Sequence, residues 1–254
     1  MRILLTNDDG VHAKGLTVLE ELARSLSDDV WIVAPETDQS GLSHSLTLSH
    51  PLRARKVRDQ CWAVNGTPTD CVIMAKRQLI EGNIDLVLSG VNAGQNVGDH
   101  VTYSGTIAGA MEGTLLGIRS IALSQSFRYE ISRTIPWDTA RTLGPDLLKK
   151  LIALDLPADT LLNVNFPPCP ADEADGEMIT SQGKFGHGLG IDERTDSRGI
   201  AYYWLKFMGK LPDHQPGSDI AALASNNTSI TPIRLDLTDH ATLERLSAEW
   251  TKGS

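Results

Sequence analysis

The first twelve residues, Met-Arg-Ile-Leu-Leu-Thr-Asn-Asp-Asp-Gly-Val-His, constrain the chain most, because an apolar run of strand length stops abruptly at Asn7, Asp8, Asp9 and Gly10. Ile3, Leu4 and Leu5 are consecutive apolar residues, the pattern of a strand covered on both faces of a parallel sheet. Such sheets gather ligands outside the carboxyl ends of their strands, and the two adjacent carboxylates fall there. Two carboxylates about 4 Å apart at an effective dielectric near 20 repel by roughly 4 kcal/mol. Protonation of one, a divalent cation between them, or solvent must offset that repulsion. Taken alone, Asn-Asp and Asp-Gly are also ordinary turn dipeptides, so the rest of the chain has to decide.

Helical spacing of Leu16, Leu19, Leu22, Ala23 and Leu26 predicts a helix from about Gly15 to Leu26, and Val30–Ala34 reads as a second buried strand stopped by Pro35. A loop rich in Gln, Ser, Gly and Thr follows to about Thr47. Leu48 to Val64 reads as short strands, and Gly66-Thr67-Pro68-Thr69-Asp70 as a helix start, with Thr67 as N-cap, Pro68 at the first helical position and Asp70 in place of the usual Glu of a capping box. Ile84–Leu88 reads as the next strand, opening into a flexible loop, Ser89 to Gly98, that carries Asn92 and Asn96. Tyr103-Ser104-Gly105-Thr106 then leads a helix whose small residues suit close packing and whose first turn offers unpaired N–H groups to a phosphate. Further strands at Ile121–Leu123 and Leu161–Val164 flank a helix at about Asp138–Leu154. Strands alternating with helices predict an α/β fold with a doubly wound, mostly parallel, Rossmann-like sheet.

Composition shifts after Pro167-Pro168-Cys169-Pro170. Acidic residues from Ala171 to Glu177, a Gly-rich run from Lys184 to Gly190 and the aromatic segment Ala201–Phe207 read as a β-rich appendage. A loop at Pro212–Gly217, a short helix at Ile220–Ala224, a strand at Ser229–Ile233 and a helix at Asp239–Trp250 close the chain. The expected division is therefore a core domain over 1–170 that carries the site, and an appendage over 171–254 used in oligomerisation.

Charge and cysteine content narrow the partners. The formal net charge of −9 argues against non-specific binding to nucleic acid or to an anionic membrane, so a phosphorylated ligand needs local positive potential from a metal or from backbone N–H groups. Cys61, Cys71 and Cys169 are odd in number and far apart, which suits a reducing compartment better than a disulfide framework or a zinc site. Only Arg2 separates Met1 from the apolar run, and no stretch approaches the length of a membrane span, so the expectation is a cytoplasmic protein without a signal peptide.

Three segments thus end at one edge of the expected sheet: Asp8 and Asp9 after the first strand, Gln39, Ser40 and Ser43 after the second, and Asn92 and Asn96 after Leu88. Carboxylates with neutral oxygens suit Mg²⁺, Mn²⁺ or Ca²⁺. These motifs, Asn7-Asp8-Asp9-Gly10, Gln39-Ser40-Gly41, Gly66-Thr67-Pro68-Thr69-Asp70-Cys71, Ser89-Gly90-Val91-Asn92-Ala93-Gly94 and Tyr103-Ser104-Gly105-Thr106, resemble those of the SurE survival-protein family of nucleotidases. The likeness extends through Leu162-Asn163-Val164-Asn165-Phe166-Pro167 to Ser229-Ile230-Thr231-Pro232.

The resemblance implies metal-dependent hydrolysis of nucleoside monophosphates, chiefly 5′-nucleotides, with 3′-nucleotides and short polyphosphate as further substrates. It makes Asp8, Asp9, Ser40 and Asn92 the ligands of one divalent ion per subunit, Mn²⁺ or Mg²⁺. Asn96 and the Ser104-Gly105-Thr106 turn would hold the phosphate, and the chain would form a homodimer or homotetramer by exchanging carboxyl-terminal segments. Asp8 or Asp9 is the expected catalytic group, orienting or deprotonating the attacking water; His12 and His44 are candidates for protonating the leaving oxygen, against a plainer solvated or capping role for each. Two alternatives remain: a phosphatase with an Asp nucleophile, which usually pairs two Asp one residue apart, and a non-enzymatic metal-nucleotide sensor.

Overall fold

Side chains of the first strand alternate between two buried faces and set the layers. β1 (Ile3–Thr6) is buried throughout; Ile3 and Leu5 join one apolar cluster and Leu4 another, as period-two side chains must. Burying each of these aliphatic side chains contributes about 1.5–3 kcal/mol. A computed structural model describes residues 1–128, 134–185, 189–207 and 215–252 of the chain. Its further elements are α1 (Lys14–Arg24), β2 (Val30–Pro35), β3 (Ala54–Arg58), β4 (Cys61–Val64), α2 (Pro68–Met74), β5 (Leu86–Ala93), α3 (Gly105–Leu115), β6 (Arg119–Gln125), α4 (Trp137–Ile152), β7 (Thr160–Phe166), β8 (Gly176–Ile179), β9 (Leu189–Thr195), β10 (Ala201–Phe207), α5 (Asp219–Ala224), β11 (Asn227–Arg234) and α6 (His240–Lys252).

The main sheet has nine strands in the order β3-β4-β2-β1-β5-β6-β7-β11-β8. Its centre from β4 to β7 is parallel, while β3 and β11 run antiparallel to their inner neighbours. Leu16, Leu19 and Leu22 of α1 and Leu147, Leu148 and Leu151 of α4 cover one face with Ile3 and Leu5. On the other, Cys71 and Val72 of α2 pack with Leu4 and Val87, and α3 lies beside α2. The expected doubly wound α/β sheet is therefore present. The chain steps outward from β1 to β2 and later resumes on the opposite side with β5, so strand order reverses between β1 and β5. A sheet of this kind opens its ligand crevice at the carboxyl side of that reversal.

One expectation changes. The segment from Ser89 was expected to be loop, but β5 runs on to Ala93: Ser89 is wholly buried beside Ala122, and after a register shift Asn92 and Ala93 pair with Ser124 and Gln125. The strands after residue 170 divide between the main sheet and a separate hairpin. β11 pairs with β7 and β8 with β11, carrying the main sheet past Pro170, and only the antiparallel β9–β10 hairpin stands apart from it. A buried hydroxyl chain from Thr180 to Ser229 and Thr231 ties this edge together. Residues 186–188 of the Gly-rich run and 212–214 of the loop before α5 lie outside the described residues.

The helix start at α2 has the expected cap. Thr67 accepts from the Asp70 N–H, and the Asp70 carboxylate accepts from the Thr67 N–H at 2.9 Å, closing the capping box with Pro68 in the first turn.

Candidate active site

The turn after β1 is built to hold two carboxylates in place. The Asn7 side-chain amide donates to the Gly10 carbonyl at 2.9 Å, and Gly10 takes a φ of +101°, where a side chain would be strained. The turn is then sewn to the loop after β2: Val11 N–H donates to Pro35 O and Gln39 N–H to Asp8 O, both at 2.8 Å. The Ser40 loop is thereby fixed against the Asp8 backbone.

Asp8 is 4% exposed and lies at the amino end of α3, whose dipole favours an anion. Thr106 donates its hydroxyl to Asp8 Oδ1 at 2.5 Å. Gly105 lets the helix come this close, since a Cβ there would fall 2.7 Å from the Asp8 Cβ. Burial pushes the Asp8 carboxyl up from its ordinary range, and the Thr106 hydrogen bond only partly opposes it. Asp9 is less buried, and its Oδ2 accepts from the Ala93 N–H at 3.3 Å, which ties it to the end of β5. Burial first, and the Asp8 charge second, push Asp9 up to about 6. Asp38 also raises both groups. Three carboxylates, Asp8, Asp9 and Asp38, therefore share one neighbourhood.

The oxygens around this pair fit a hard divalent cation. Asn92 donates its amide Nδ2 to Gly94 O at 2.8 Å, which leaves Oδ1 as an acceptor. Asn7 Oδ1 is buried without a hydrogen-bond partner among the described residues, so it can accept from a further donor or cation. Ser40 is exposed, and its hydroxyl donates to Asp38 Oδ1 at 2.6 Å. Among the described residues no group of three or more His, Cys, Asp and Glu is placed to hold a metal. Two carboxylates with amide and hydroxyl oxygens are a donor set for Mg²⁺ or Mn²⁺ rather than for zinc.

The expected phosphate-binding residues divide. Ser104 caps α3 by accepting from the Ile107 N–H at 3.1 Å and keeps its own hydroxyl proton to donate; Gly105 begins the helix, where N–H groups lack intrahelical partners. Thr106 spends its hydroxyl on Asp8. Asn96 faces inward: its amide donates to Ser124 Oγ at 2.9 Å, its N–H donates to Asn165 Oδ1 at 2.8 Å, and Asn163 and Asn165 donate to its carbonyl at 2.7 and 3.2 Å. Ser43 donates its hydroxyl to Thr102 O at 2.6 Å, and His44 meets Glu112 of α3 at 3.1 Å, so the loop after β2 is also pinned to the α3 side. His12 is exposed on the other flank of the turn.

Sequence reasoning assigned no role to Asp38, Asn163, Asn165 or Asp219. The two asparagines had a signal, alternate positions on an otherwise apolar strand and hence one shared face, and both are fully buried. Asp38 had one too, an Asp two residues before a Ser in a turn-rich loop. Asp219 had none: its wholly buried carboxylate accepts from the N–H groups of Gly98, Gly183 and Ile220, each at 2.8 Å, and joins parts of the chain up to 121 residues apart.

These features define an α/β protein that gathers carboxylate, amide and hydroxyl oxygens in the crevice at the switch point of its sheet. The family model described as survival protein SurE matches residues 3–187, and the chain belongs to that family. It is 61% identical over 250 residues to a protein of Brucella anthropi named 5′-nucleotidase SurE, covering 98% of this chain and 96% of that one. A protein of the same name from Rhizobium meliloti is 58% identical over 254 residues, covering 100% and 99% of the two chains. The crystal structure of the SurE protein from Aquifex aeolicus superposes with a TM-score of 0.84 at 38% identity, covering 98% of this chain and 99% of that one.

Proposed function

We propose that this chain is a metal-dependent 5′-nucleotidase that hydrolyses nucleoside monophosphates to nucleoside and phosphate, with 3′-nucleotides and short polyphosphate as further substrates. The observation that carries the reading is the Asp8–Asp9 pair, two adjacent carboxylates at the start of α3 whose pKa values burial and like charge, with Asp38 nearby, both raise. Full-length relatives named 5′-nucleotidase support the reaction class.

Asp8, Asp9, Ser40 and Asn92 would hold one Mn²⁺ or Mg²⁺. When bound, such a cation neutralises charge on the phosphoryl oxygens and makes a water more acidic. The chain's own residues do the rest. Thr106 fixes the Asp8 carboxylate, and Asp9, the more exposed of the two, orients the attacking water and takes its proton at a carboxylate oxygen. The Ser104 hydroxyl and the first turn at Gly105 and Thr106 would hold the phosphate together with Asn96, whose backbone carbonyl Asn163 and Asn165 anchor. Water adds to phosphorus, the ester P–O bond breaks, and the leaving nucleoside oxygen takes a proton from solvent water while Asp9 returns its own to solvent.

The assembly belongs to the same reading. The β9–β10 hairpin exposes Ile191 (66%) and Leu205 (77%) as a cross-strand pair on one face and Trp204 (59%) on the other, apolar area suited to burial in a homodimer or homotetramer. Buried free thiols at Cys61, Cys71 and Cys169 support a reducing, cytoplasmic setting. No helix among the described residues is long and apolar enough to cross a membrane.

The test is phosphate release from a panel of 5′- and 3′-nucleoside monophosphates by chelator-stripped protein, with and without added Mn²⁺ or Mg²⁺. Metal-dependent release is expected. Release without metal would mean that the carboxylate pair has another role, and tight nucleotide binding without turnover in any metal would make the protein a sensor.

A further inference from the structure

A serine hydroxyl binds a cation through its oxygen lone pairs, so its single proton must be donated elsewhere. In this chain the proton has a destination. Ser40 Oγ donates to Asp38 Oδ1 at 2.6 Å, within the 2.5–2.7 Å range of a hydroxyl bound to a charged carboxylate. The same oxygen accepts from the Ser40 N–H at 2.8 Å, so Asp38 holds both the backbone and the side chain of Ser40. The segment is not loose. Gln39, between them, is tied to the Asp8 carbonyl at 2.8 Å, and Thr37 packs against Gly10, where a Cβ would meet its carbonyl carbon at 3.3 Å. A carboxylate that takes the hydroxyl proton also draws negative charge onto the oxygen, as partners behind metal ligands do.

We infer that Asp38 is a positioning residue that accepts the Ser40 hydroxyl proton and thereby turns the Ser40 oxygen toward the cation held by Asp8 and Asp9. This rests on the proposed role of Ser40 as a ligand. Asp38 touches neither metal nor substrate; it acts through Ser40.

The test is the Mn²⁺ dissociation constant of chelator-stripped full-length protein, read from the EPR signal of free Mn²⁺, which needs no turnover. Ser40→Ala, Asp38→Ala, the double variant and Asp38→Asn are compared with the unaltered chain. Asp38→Ala is expected to weaken Mn²⁺ binding about 10–100-fold, and to add less than about threefold once Ser40 is Ala, because the effect runs through the hydroxyl. Asp38→Asn, whose amide oxygen can still accept both bonds, is expected to recover most of the loss. An equal factor in both Ser40 backgrounds would show that Asp38 acts by charge alone and overturn the inference. So would Asp38→Ala binding like the unaltered chain while Ser40→Ala is weakened, with Ser40 still a ligand. If Ser40→Ala itself leaves binding unchanged, Ser40 is not a ligand and both readings fall. All variants lie in an exposed turn, and thermal unfolding in chelator checks that they fold alike.

Discussion

Two buried carboxylates both have their pKa raised by burial but differ in the charges around them. Asp219 is fully enclosed, and the N–H groups of Gly98, Gly183 and Ile220 converge on it, so its charge is met by three donors. Asp8 is almost as enclosed, and the Thr106 hydroxyl with the backbone N–H groups of Asp8 and Thr106 meets it, but the like charges of Asp9 and Asp38 lie nearby. The same residue type thus serves as a clamp where it stands alone among donors, and crowds with like charges at the end of β1. A buried polar group with too few partners costs roughly 1–3 kcal/mol, more for a charge, unless something binds it. The crowding of like charges at Asp8 and Asp9, more than a lack of donors, is what singles them out as candidates for a bound cation.

The strongest way to break this contrast is to remove the open carboxylates. Asp9→Asn, and equally Asp8→Asn, should lower kcat/KM for nucleoside monophosphates by at least about 10³-fold, roughly 4 kcal/mol of transition-state stabilisation, while circular dichroism and urea unfolding show an intact fold. Retained turnover would sink the catalytic assignment. Asp219→Ala should do the reverse. By stranding buried N–H groups it should cost about 3 kcal/mol in urea unfolding, with Mn²⁺ affinity per folded molecule changed less than about threefold. Loss of metal binding with stability unchanged would erase the distinction.

A smaller effect sharpens it. Asp9 holds its proton more tightly in the folded chain, up to about 6, than an ordinary carboxyl near 3.8. Stability from that proton is fully present below about pH 4 and is lost as pH rises through about 6. In chelator, Asp9→Asn should therefore unfold at higher temperature than the unaltered chain above pH 6, by on the order of 1–2 kcal/mol after allowance for solvent screening, and the two should converge near pH 4. Divergence at low pH instead would reverse the sign and refute the burial argument. Smallest of all, the partly exposed His44–Glu112 pair should matter little: His44→Ala should cost less than about 1 kcal/mol in urea unfolding at neutral pH.

Local signals were legible in the residues and non-local ones were not. The apolar run Ile3–Leu5 and the cap at Thr67, Pro68 and Asp70 are decided within a few residues, and the structure holds both as read. The continuation of β5 through Ser89 to Ala93 was hidden because its polar residues are buried by a close helix: a Cβ on Gly109 would fall 2.7 Å from Ser89 Oγ, a contact that the sequence around Ser89 does not announce. β11 joins β7 across more than sixty positions of chain, so its place in the main sheet could not be read from its own pattern. At the site, the adjacency of Asp8 and Asp9 at a strand end was enough to single them out. What shapes them was not: Thr106 lies 98 residues on, and its hydroxyl reads only as part of a helix start until the fold sets it on Asp8.

The claim that these carboxylates wait for a cation is tested most directly by counting bound Mn²⁺ in chelator-stripped protein and in Asp8→Asn. One Mn²⁺ per chain, lost in the variant, is the expected result. Unchanged binding by Asp8→Asn, or no binding by the unaltered chain even with a nucleoside monophosphate present, would contradict it.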